Sequence, residues 1–397
     1  MNNPTTFLYI GSFDFRSNFG TAKRAKALAL ILKELGYDIC FLDIIFGDEF
    51  RCRAFDDGYN DFRVFEVGYM RQRETFFALH GFNDLVDLLK GELRGIIYYH
   101  FYSWISYRIR NVCKKNNLLF IHDVTEWYYP VFDNKKSVRR ALVEYITRSI
   151  DIALSMRVLL KRTPCICISQ NLTRYYAKKG KACWLPFVTE KRAFQNGHTQ
   201  NEMPVCFISA INSFSLAEKK ERFDWVLEAI YDLMNEGISF VVHVYGMTKD
   251  VAFALFPEIE DKIAICSGKL LMFHGQMPNA AVLRQIALSD YAIFAREQNR
   301  RTSNGFPTKL SEAFACSTPV VTTPAGDAAH FVINGKTGYC AKNCTYEDFY
   351  SAFRMAATSS MEQRLAMQKV LTVDNPLDYS KWVLPTKKFI DHLLQMN

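Results

Sequence analysis

Short apolar runs alternate with helix-length segments along the first half of the chain. The run TFLYI at 6–10 predicts a buried strand, and a glycine-containing loop and a segment with helical spacing at 21–36 follow it. Gly36 is placed to close that helix in the C′ position, and the run YDICFLDII at 37–45 predicts a second strand. This order of strand, loop, helix and strand is typical of the start of a doubly wound parallel sheet.

A second series with the same spacing begins at Val205, where the runs VCFISA, FVVHVYG, LLMFHG, YAIFA and PVVTT alternate with helical segments. Residues 191–204, which lie between the two series, are polar and predict a linker. The sequence therefore predicts two α/β domains, at 1–190 and 205–375, each built on a doubly wound, Rossmann-like sheet. Ligands of such sheets bind at the carboxyl ends of the strands, so a cleft between the domains is the expected site.

Composition narrows the class of protein. The 397 residues are 49% hydrophobic and 23% charged, which excludes a disordered or collagen-like chain. The eleven cysteines form no CxxC motif, so we expect reduced core residues and no zinc site. No apolar run reaches the ~18 residues of a membrane helix, and the first six residues are uncharged. We therefore expect a soluble protein that stays in the cytoplasm.

The net charge of +8 is unevenly distributed. Residues 1–190 contain 28 Lys and Arg against 20 Asp and Glu, whereas the remainder contains 21 of each. The basic residues are densest between 135 and 162, after an aromatic and basic segment at 102–115. Such a mixture suits an anionic bilayer surface or a polyanion, and it equally suits an ordinary solvated helix face. No nucleic-acid-binding motif accompanies the charge, so we expect no nucleic-acid partner.

The segment at 296–321, REQNRRTSNGFPTKLSEAFACSTPVV, carries the most informative chemistry. Gly305 permits close approach of the backbone, and Pro307 with Thr308 predicts a helix start whose N–H groups attract a diphosphate. Lys309 is a cation in the first turn, which is unfavourable for the helix dipole and so indicates a bound anion. Glu312 points toward the same end and can accept hydrogen bonds from ribose hydroxyls.

This segment resembles the signature of retaining glycosyltransferases of family 4, whose two-domain fold is called GT-B. Their donor site contains a glutamate, a Gly-Phe pair, a second glutamate and a small-residue-Pro-Val-Val strand. Here Gly305, Phe306 and Glu312 match, residues 318–321 form the strand, and Asn304 replaces the first glutamate. The resemblance implies that residues 376–397 contain a helix that crosses back onto the first domain.

Other stretches extend the resemblance to the donor side. Lys220 is the best match to a lysine that contacts the donor diphosphate at a helix start, and Lys219 or Arg222 come next. The turns VYGMTK at 244–249 and FHGQM at 273–277 resemble two turns that flank the nucleoside. Their candidate contacts are Gly246, Gln276 and Met277; either glycine could equally be a plain turn residue.

The first domain would form the acceptor side. Gly20 matches the family's glycine-rich loop near the diphosphate and the sugar, whereas GSFDFRSNFG lacks the GxGxxG fingerprint of a nicotinamide enzyme. His122 matches a histidine or polar residue beside the sugar, and a hydrogen-bonded structural histidine is the alternative. The resemblance implies that Asp123 or Glu126 interacts with the acceptor hydroxyl. The alternative is that the residue only caps the following helix.

The resemblance implies a retaining transferase that moves a sugar from a UDP- or GDP-linked donor to a saccharide or lipid-linked acceptor in bacterial surface-polysaccharide synthesis. Lys220, Lys309 and the helix beginning at Thr308 would stabilise the departing diphosphate, with Arg296 as a helper. We expect no metal or other cofactor, and an anionic inner-membrane surface as a partner of the basic domain. The alternative is a non-catalytic GT-B relative that binds a nucleotide sugar or polysaccharide.

Overall fold

The computed structural model describes residues 5–15, 20–45, 51–56, 61–68, 81–99, 103–130, 137–177, 181–190, 204–211 and 221–395. The chain divides into two compact units. The N-terminal unit comprises Met1–Val188 and Tyr379–Asn397, and the C-terminal unit comprises Thr189–Asp378. The chain thus passes from the first unit to the second after Val188 and returns to the first after Asp378. Residues 191–203 of the expected linker lie outside the described residues.

The N-terminal unit is built on one eight-stranded sheet with the strand order β3-β4-β2-β1-β5-β6-β7-β8. Among its described strands, only the pair β3–β4 is antiparallel. The strands are β1 (Thr6–Gly11), β2 (Asp38–Ile45), β3 (Arg51–Asp56), β4 (Asp61–Gly68), β5 (Leu93–Tyr98), β6 (Leu119–Val124), β7 (Cys165–Cys167) and β8 (Ala182–Trp184). The helices are α1 (Gly20–Glu34), α2 (Gly81–Leu88), α3 (Ser103–Lys115), α4 (Val138–Leu154) and α5 (Gln170–Ala177).

Helices cover both faces of this sheet. Because side chains alternate along a strand, Phe7 and Tyr9 of β1 pack with α1 on one face, and Leu8 and Ile10 pack with α2 and α3 on the other. The terminal helix α14 (Val383–Leu394) also belongs to this unit, where Ile390 and Leu393 join the core on the α1 side. The parallel, doubly wound architecture predicted from the alternating runs is confirmed, and the β3–β4 edge is an addition.

The expected end of the first helix is also present. Gly36 has a φ of +82°, and its N–H donates to the Lys33 carbonyl while the N–H of Tyr37 donates to the Leu32 carbonyl. These two bonds satisfy carbonyls that the last turn leaves unpaired, as in a Schellman motif. A residue without a Cβ suits the left-handed backbone of that position.

The C-terminal unit is a six-stranded parallel sheet with the order β11-β10-β9-β12-β13-β14. The strands are β9 (Val205–Ala210), β10 (Phe240–Tyr245), β11 (Leu271–Phe273), β12 (Tyr291–Ile293), β13 (Val320–Thr322) and β14 (Gly338–Cys340). The helices are α6 (Phe223–Asn235), α7 (Lys249–Leu255), α8 (Glu260–Cys266), α9 (Asn279–Leu288), α10 (Thr308–Ala315), α11 (Ala328–Phe331), α12 (Tyr346–Ala357) and α13 (Met361–Asp374). The strand order reverses between β9 and β12, which makes this pair the topological switch point.

Candidate donor site in the C-terminal unit

The carboxyl ends of β9 and β12 bring three segments of the C-terminal unit together. The segment before α6 contributes Glu221 and Arg222, the loop after β12 contributes Arg296, and the first turn of α10 contributes Lys309. The N–H of Arg222 donates to the carbonyl of Ala295 over 3.0 Å, which links the first two segments. Ligands of doubly wound sheets bind at such switch points, so this edge is the candidate site.

A cluster of three charges lies at this edge. Lys309 Nζ is 2.5 Å from Glu221 Oε2, and Arg296 Nη2 is 3.7 Å from Glu221 Oε1. The Glu221 side chain is only 3% exposed, and those of Lys309 and Arg296 are 16% and 12% exposed. Two cations therefore share one carboxylate beside the start of α10.

The start of α10 has no side-chain cap. Pro307 occupies the N-cap position and accepts no hydrogen bond with its side chain, and the first turn contains no acidic residue. The N–H of Leu310 donates to the carbonyl of Pro307 over 3.0 Å, so the two N–H groups before it, those of Thr308 and Lys309, have no intrahelical partner and can bind an anion. Lys309 and Glu312 both line a small cavity here, together with Ala210 and Phe294 at the ends of β9 and β12.

The charge cluster gives the first-turn cation Lys309 a partner that the sequence did not reveal. The first-turn cation Lys309 already has a counter-charge within the chain, because Glu221 forms an ion pair with it. The unfavourable helix dipole alone therefore does not require a bound anion at Lys309. Sequence reasoning did not include Glu221 in the site, although it lies between the candidate cations Lys220 and Arg222.

The loop before α10 is closed by its own hydrogen bonds. Asn304 Nδ2 donates to the carbonyl of Arg300 over 2.6 Å, and the N–H of Gly305 donates to the carbonyl of Arg301 over 3.0 Å. A glutamate at position 304 has no amide hydrogen to donate, so the asparagine also has a local role. Phe306 is buried against Phe331, with ring centroids 5.7 Å apart, and thus packs inside the unit.

The two turns predicted to flank the nucleoside contact each other. The N–H of Gly246 donates to the carbonyl of Gly275 over 2.7 Å, and Gln276 Nε2 donates to the carbonyl of Gly246 over 3.0 Å. Gly246 has a φ of +89°, and a Cβ there would lie 2.0 Å from the carbonyl oxygen of Ile211. Gly246 therefore must be glycine for steric reasons, whereas Met277 is exposed beside it.

Of the three basic candidates before α6, the structure describes Arg222 but not Lys219 or Lys220. Arg222 forms a two-pronged ion pair with Asp224, with a shortest distance of 2.6 Å, and its guanidinium lies 4.2 Å from the centre of the Trp225 ring. Its positive charge is thus already matched by a neighbouring carboxylate. Lys219 and Lys220 lie outside the described residues, so their contact with a diphosphate stays a prediction.

Asp123 has a structural position in the N-terminal unit, and the expected acceptor role is not supported by its geometry. It is 2% exposed and pairs with Arg24 of α1, whose Nη2 lies 2.6 Å from Asp123 Oδ1. Tyr9 donates a hydrogen bond to the other carboxylate oxygen, and Arg24 Nη1 donates to the carbonyls of Leu185 and Pro186. A carboxylate enclosed in this way cannot reach an acceptor hydroxyl.

His122 faces the opposite side of β6 and is also enclosed. Its Nε2 lies 2.8 Å from Ser106 Oγ of α3, and the rings of Tyr98 and Phe120 pack against it. Burial, reinforced by the cation of Arg110, lowers the pKa of His122 to about 3, so the imidazole is neutral. The alternative of a hydrogen-bonded structural histidine fits this environment, and a position beside a sugar does not.

The remaining two candidates of this unit lie near the carboxyl edge of the sheet. Gly20 is the first residue of α1, and Glu126 follows β6 in a half-buried position. The next helix, α4, begins at Val138 with Ser137 as its N-cap residue. The expectation that Asp123 or Glu126 caps the following helix is therefore wrong, because eleven or more residues separate them from it.

The described part of the chain offers no metal site and no membrane span. No group of three or more His, Cys, Asp or Glu residues within it could hold a metal ion. None of its helices is long and apolar enough to cross a bilayer.

Comparison with known proteins agrees with this fold. Residues 206–358, within the C-terminal unit, match the family model described as "Glycosyl transferases group 1". A sucrose-phosphate synthase from Thermosynechococcus elongatus is 14% identical, with a TM-score of 0.67 over 99% of this chain and 100% of its own. The lipopolysaccharide outer core galactosyltransferase WaaB is 12% identical, with a TM-score of 0.62 over 98% and 99%.

A third solved structure, described as trehalose-6-phosphate from E. coli bound with UDP-2-fluoro glucose, is 12% identical, with a TM-score of 0.61 over 98% and 99%. No curated protein matches the chain significantly. At these identities the solved structures show the fold, which is that of the GT-B glycosyltransferases. The family match of the C-terminal unit and this fold together support a glycosyltransferase.

Replacement of Asp123 by Asn should strongly destabilise the N-terminal unit. The change leaves the Arg24 guanidinium buried without its counter-charge, which costs about 3–5 kcal/mol in comparable pairs. Glu92→Gln is the matched control because it breaks the exposed Arg63–Glu92 pair, worth less than about 1 kcal/mol. Urea unfolding of the purified proteins measures both, and equal losses would contradict the structural assignment of Asp123.

His122 should make the protein less stable at low pH. Its folded-state pKa lies below the ordinary 6.5, so the unfolded chain binds the proton more tightly, and the stability that is present above pH 6.5 is lost as pH falls. The loss reaches about 3 kcal/mol near pH 4.5. Urea unfolding of His122→Gln should show a weaker dependence on pH, whereas His392→Gln, an exposed residue of α14, should match the wild type. An unchanged slope in His122→Gln would refute the neutral, buried state.

Proposed function

We propose that the protein is a retaining, metal-independent glycosyltransferase. It moves a sugar from a UDP- or GDP-linked donor to a saccharide or lipid-linked saccharide acceptor in capsular, exopolysaccharide or lipopolysaccharide synthesis. The observation that carries the proposal is the charge cluster of Glu221, Arg296 and Lys309 beside the uncapped start of α10, at the switch point of the unit that matches the glycosyltransferase family.

The leaving group explains why this arrangement suits the reaction. Transfer from a nucleotide sugar releases a diphosphate, so negative charge develops at the bond that breaks. The cations of Arg296 and Lys309 and the first N–H groups of α10 would stabilise that charge. Glu221 holds the Lys309 side chain at the helix start through its ion pair with Nζ, and a bound diphosphate would compete with it for that cation. Lys220 adds a further cation in this proposal.

The nucleoside and the sugar would occupy the neighbouring carboxyl edge. The turns at Gly246 and Gln276 hold one another by hydrogen bonds and present backbone groups to a base. Glu312, one turn into α10, would accept hydrogen bonds from the ribose. Attack by the acceptor from the same face as the departing diphosphate needs no carboxylate nucleophile, which fits the enclosed state of Asp123.

The proposals for the donor and for the pathway are supported by similar solved structures. The structure bound with UDP-2-fluoro glucose supports a UDP-sugar donor, and the lipopolysaccharide galactosyltransferase supports a saccharide acceptor of that class. The alternative, a non-catalytic GT-B relative, would bind the nucleotide sugar equally well. Turnover separates the two, because only an enzyme releases UDP or GDP when a panel of acceptor saccharides is added.

UDP or GDP should raise the thermal unfolding temperature of the protein in the presence of EDTA. A ligand at 100 times its dissociation constant adds about 2.7 kcal/mol to the free energy of unfolding. Lys309→Gln removes a charged contact to the diphosphate, so its affinity should fall by a factor of about ten to a hundred. Glu221→Gln should act in the opposite direction, because the bound diphosphate becomes the counter-charge of Lys309 and Arg296.

The control for this experiment is Glu236→Gln, which breaks the exposed ion pair between Arg354 and Glu236 in the same unit. Its nucleotide response should equal that of the wild type. Thermal shift and calorimetric titration measure the effects independently. The absence of any nucleotide response in the wild type would refute the proposed function.

Asn304→Glu should change which sugar is transferred while nucleotide affinity remains near that of the wild type. The variant loses the amide donor to Arg300 and gains a carboxylate at the position where family members contact the donor sugar. Transfer rates from a panel of UDP- and GDP-sugars measure the preference, with Asn304→Gln as the variant that keeps the amide. An unchanged order of donors would exclude sugar selection by this residue.

A further inference from the structure

A cavity of about 440 Å³ lies in the N-terminal unit, between α3, the terminal helix α14 and the starts of three strands. Its volume is within the range of small-molecule sites, about 300–1,000 Å³. None of its lining residues is Asp or Glu, and four of them are cations: Arg110, Lys114, Arg162 and Lys181. We term this site the cationic cavity.

The cationic cavity lies at the amino-terminal edge of the sheet. Leu119 is the first residue of β6, and Pro164 and Lys181 directly precede β7 and β8. The carboxyl edge, where ligands of doubly wound sheets usually bind, is one strand length away, roughly 17 Å for the six residues of β6. A molecule in this cavity would therefore leave the carboxyl edge open.

The four cations have no carboxylate partner. None of them forms an ion pair with another residue of the described part of the chain. Two other arginines of the same unit, Arg24 and Arg63, each have a carboxylate oxygen within 2.6 and 2.9 Å. Cations that surround a concave site without counter-charges produce a positive potential inside it, which attracts an anion.

The charge of Arg110 also acts on the interior of the unit. Burial lowers the pKa of His122, and the cation of Arg110 lowers it further. Lys114 lies four positions after Arg110, so the two cations share one side of α3, where like charges repel each other. An anion bound between them would reduce that repulsion.

Backbone hydrogen bonds hold the other two cations in place. The N–H of Cys165 in β7 donates to the carbonyl of Lys181 over 2.8 Å. Thr163, the residue after Arg162, is buried, and its hydroxyl donates to the carbonyl of Leu159 over 2.9 Å. The segments that carry these cations are thus fixed before any ligand binds, which reduces the entropic cost of binding.

The inner wall of the cationic cavity is apolar. Cys113, Leu119 and Leu393 line it, and all three are buried. Inorganic phosphate would contact only the cations, whereas a phosphate ester could also cover these side chains with its carbon part. The combination favours an organic phosphate over a bare anion.

We infer that the cationic cavity binds a soluble organic phosphate, with its phosphate on the four cations and its carbon part against the apolar wall. Guanidinium groups donate two parallel N–H bonds to phosphate oxygens, and lysines add point charges. A bilayer or a nucleic acid presents its phosphates on an extended surface, and a cavity of this volume fits a small molecule better. This inference does not depend on the proposed sugar transfer.

Pyridoxal 5′-phosphate is a suitable probe, because it joins a phosphate to an apolar ring and its aldehyde condenses with a lysine amine. Borohydride reduces the imine, and peptide mapping by mass spectrometry then identifies the labelled lysine. Lys114 or Lys181 should be labelled faster than the other lysines of the N-terminal unit. Phenyl phosphate should prevent this labelling at a concentration about tenfold lower than inorganic phosphate does, because its ring would cover the apolar wall.

Arg110→Gln combined with Arg162→Gln tests the phosphate contacts and leaves both lysines available for labelling. The rate with pyridoxal 5′-phosphate should fall about tenfold or more. Pyridoxal, which lacks the phosphate, should label this variant as it labels the wild type. The matched control is Arg139→Gln combined with Arg148→Gln, which removes the same charge from exposed positions of α4 that do not line the cavity. Its labelling should equal that of the wild type.

Three results would overturn the inference. The first is labelling spread over the exposed lysines with no preference for Lys114 or Lys181. The second is an unchanged rate in the variant that lacks Arg110 and Arg162. The third is protection by vesicles of phosphatidylglycerol but not by phenyl phosphate, since the cations would then bind lipid headgroups. Lys309 of the donor site is mapped separately in the same experiment, so failure here leaves the proposed function unaffected.

Discussion

The buried carboxylate of Glu221 holds three segments of the C-terminal unit in place. Glu221 precedes α6, Arg296 follows β12, and Lys309 lies in the first turn of α10, so the two ion pairs of Glu221 connect parts of the chain that are far apart in sequence. Because the three side chains are largely buried, solvent screens their interactions much less than those of a surface ion pair. The electrostatic properties of the candidate donor site depend on this one residue.

The parts of the fold that follow from local pattern could be predicted from the sequence. The opening β1–α1–β2 unit is an example, since an apolar strand, an amphipathic helix and a glycine at position 36 are each read from neighbouring residues. The pair β3–β4 is the counterexample. The register of β4 depends on its pairing with β2 on one side and with β3 on the other. The spacing of residues within one strand does not specify such pairings.

In the candidate site too, the sequence predicts features that depend on neighbouring residues but not contacts between distant ones. The N-terminus of α10 was predictable from the Pro-Thr start, but the partner of Lys309 was not, because Glu221 lies 88 positions away. His122 and Asp123 looked alike at the end of one strand. Alternation sends one to Ser106 of α3 and the other to Arg24 of α1, and burial on both faces makes each a structural residue.

The two buried ion-pair clusters therefore have different capacities for ligands. In the N-terminal unit, Asp123 is matched by Arg24, and the remaining donors of Arg24 bind the carbonyls of Leu185 and Pro186. A charge paired in this way contributes to the integrity of the fold and leaves nothing for an anion. Around Glu221, the cations of Arg296 and Lys309 lie beside the start of α10, where the N-cap residue Pro307 provides no side-chain cap. A diphosphate could accept hydrogen bonds from those N–H groups and from Lys309, which is why the cluster around Glu221, and not the pair of Arg24 and Asp123, is the candidate site.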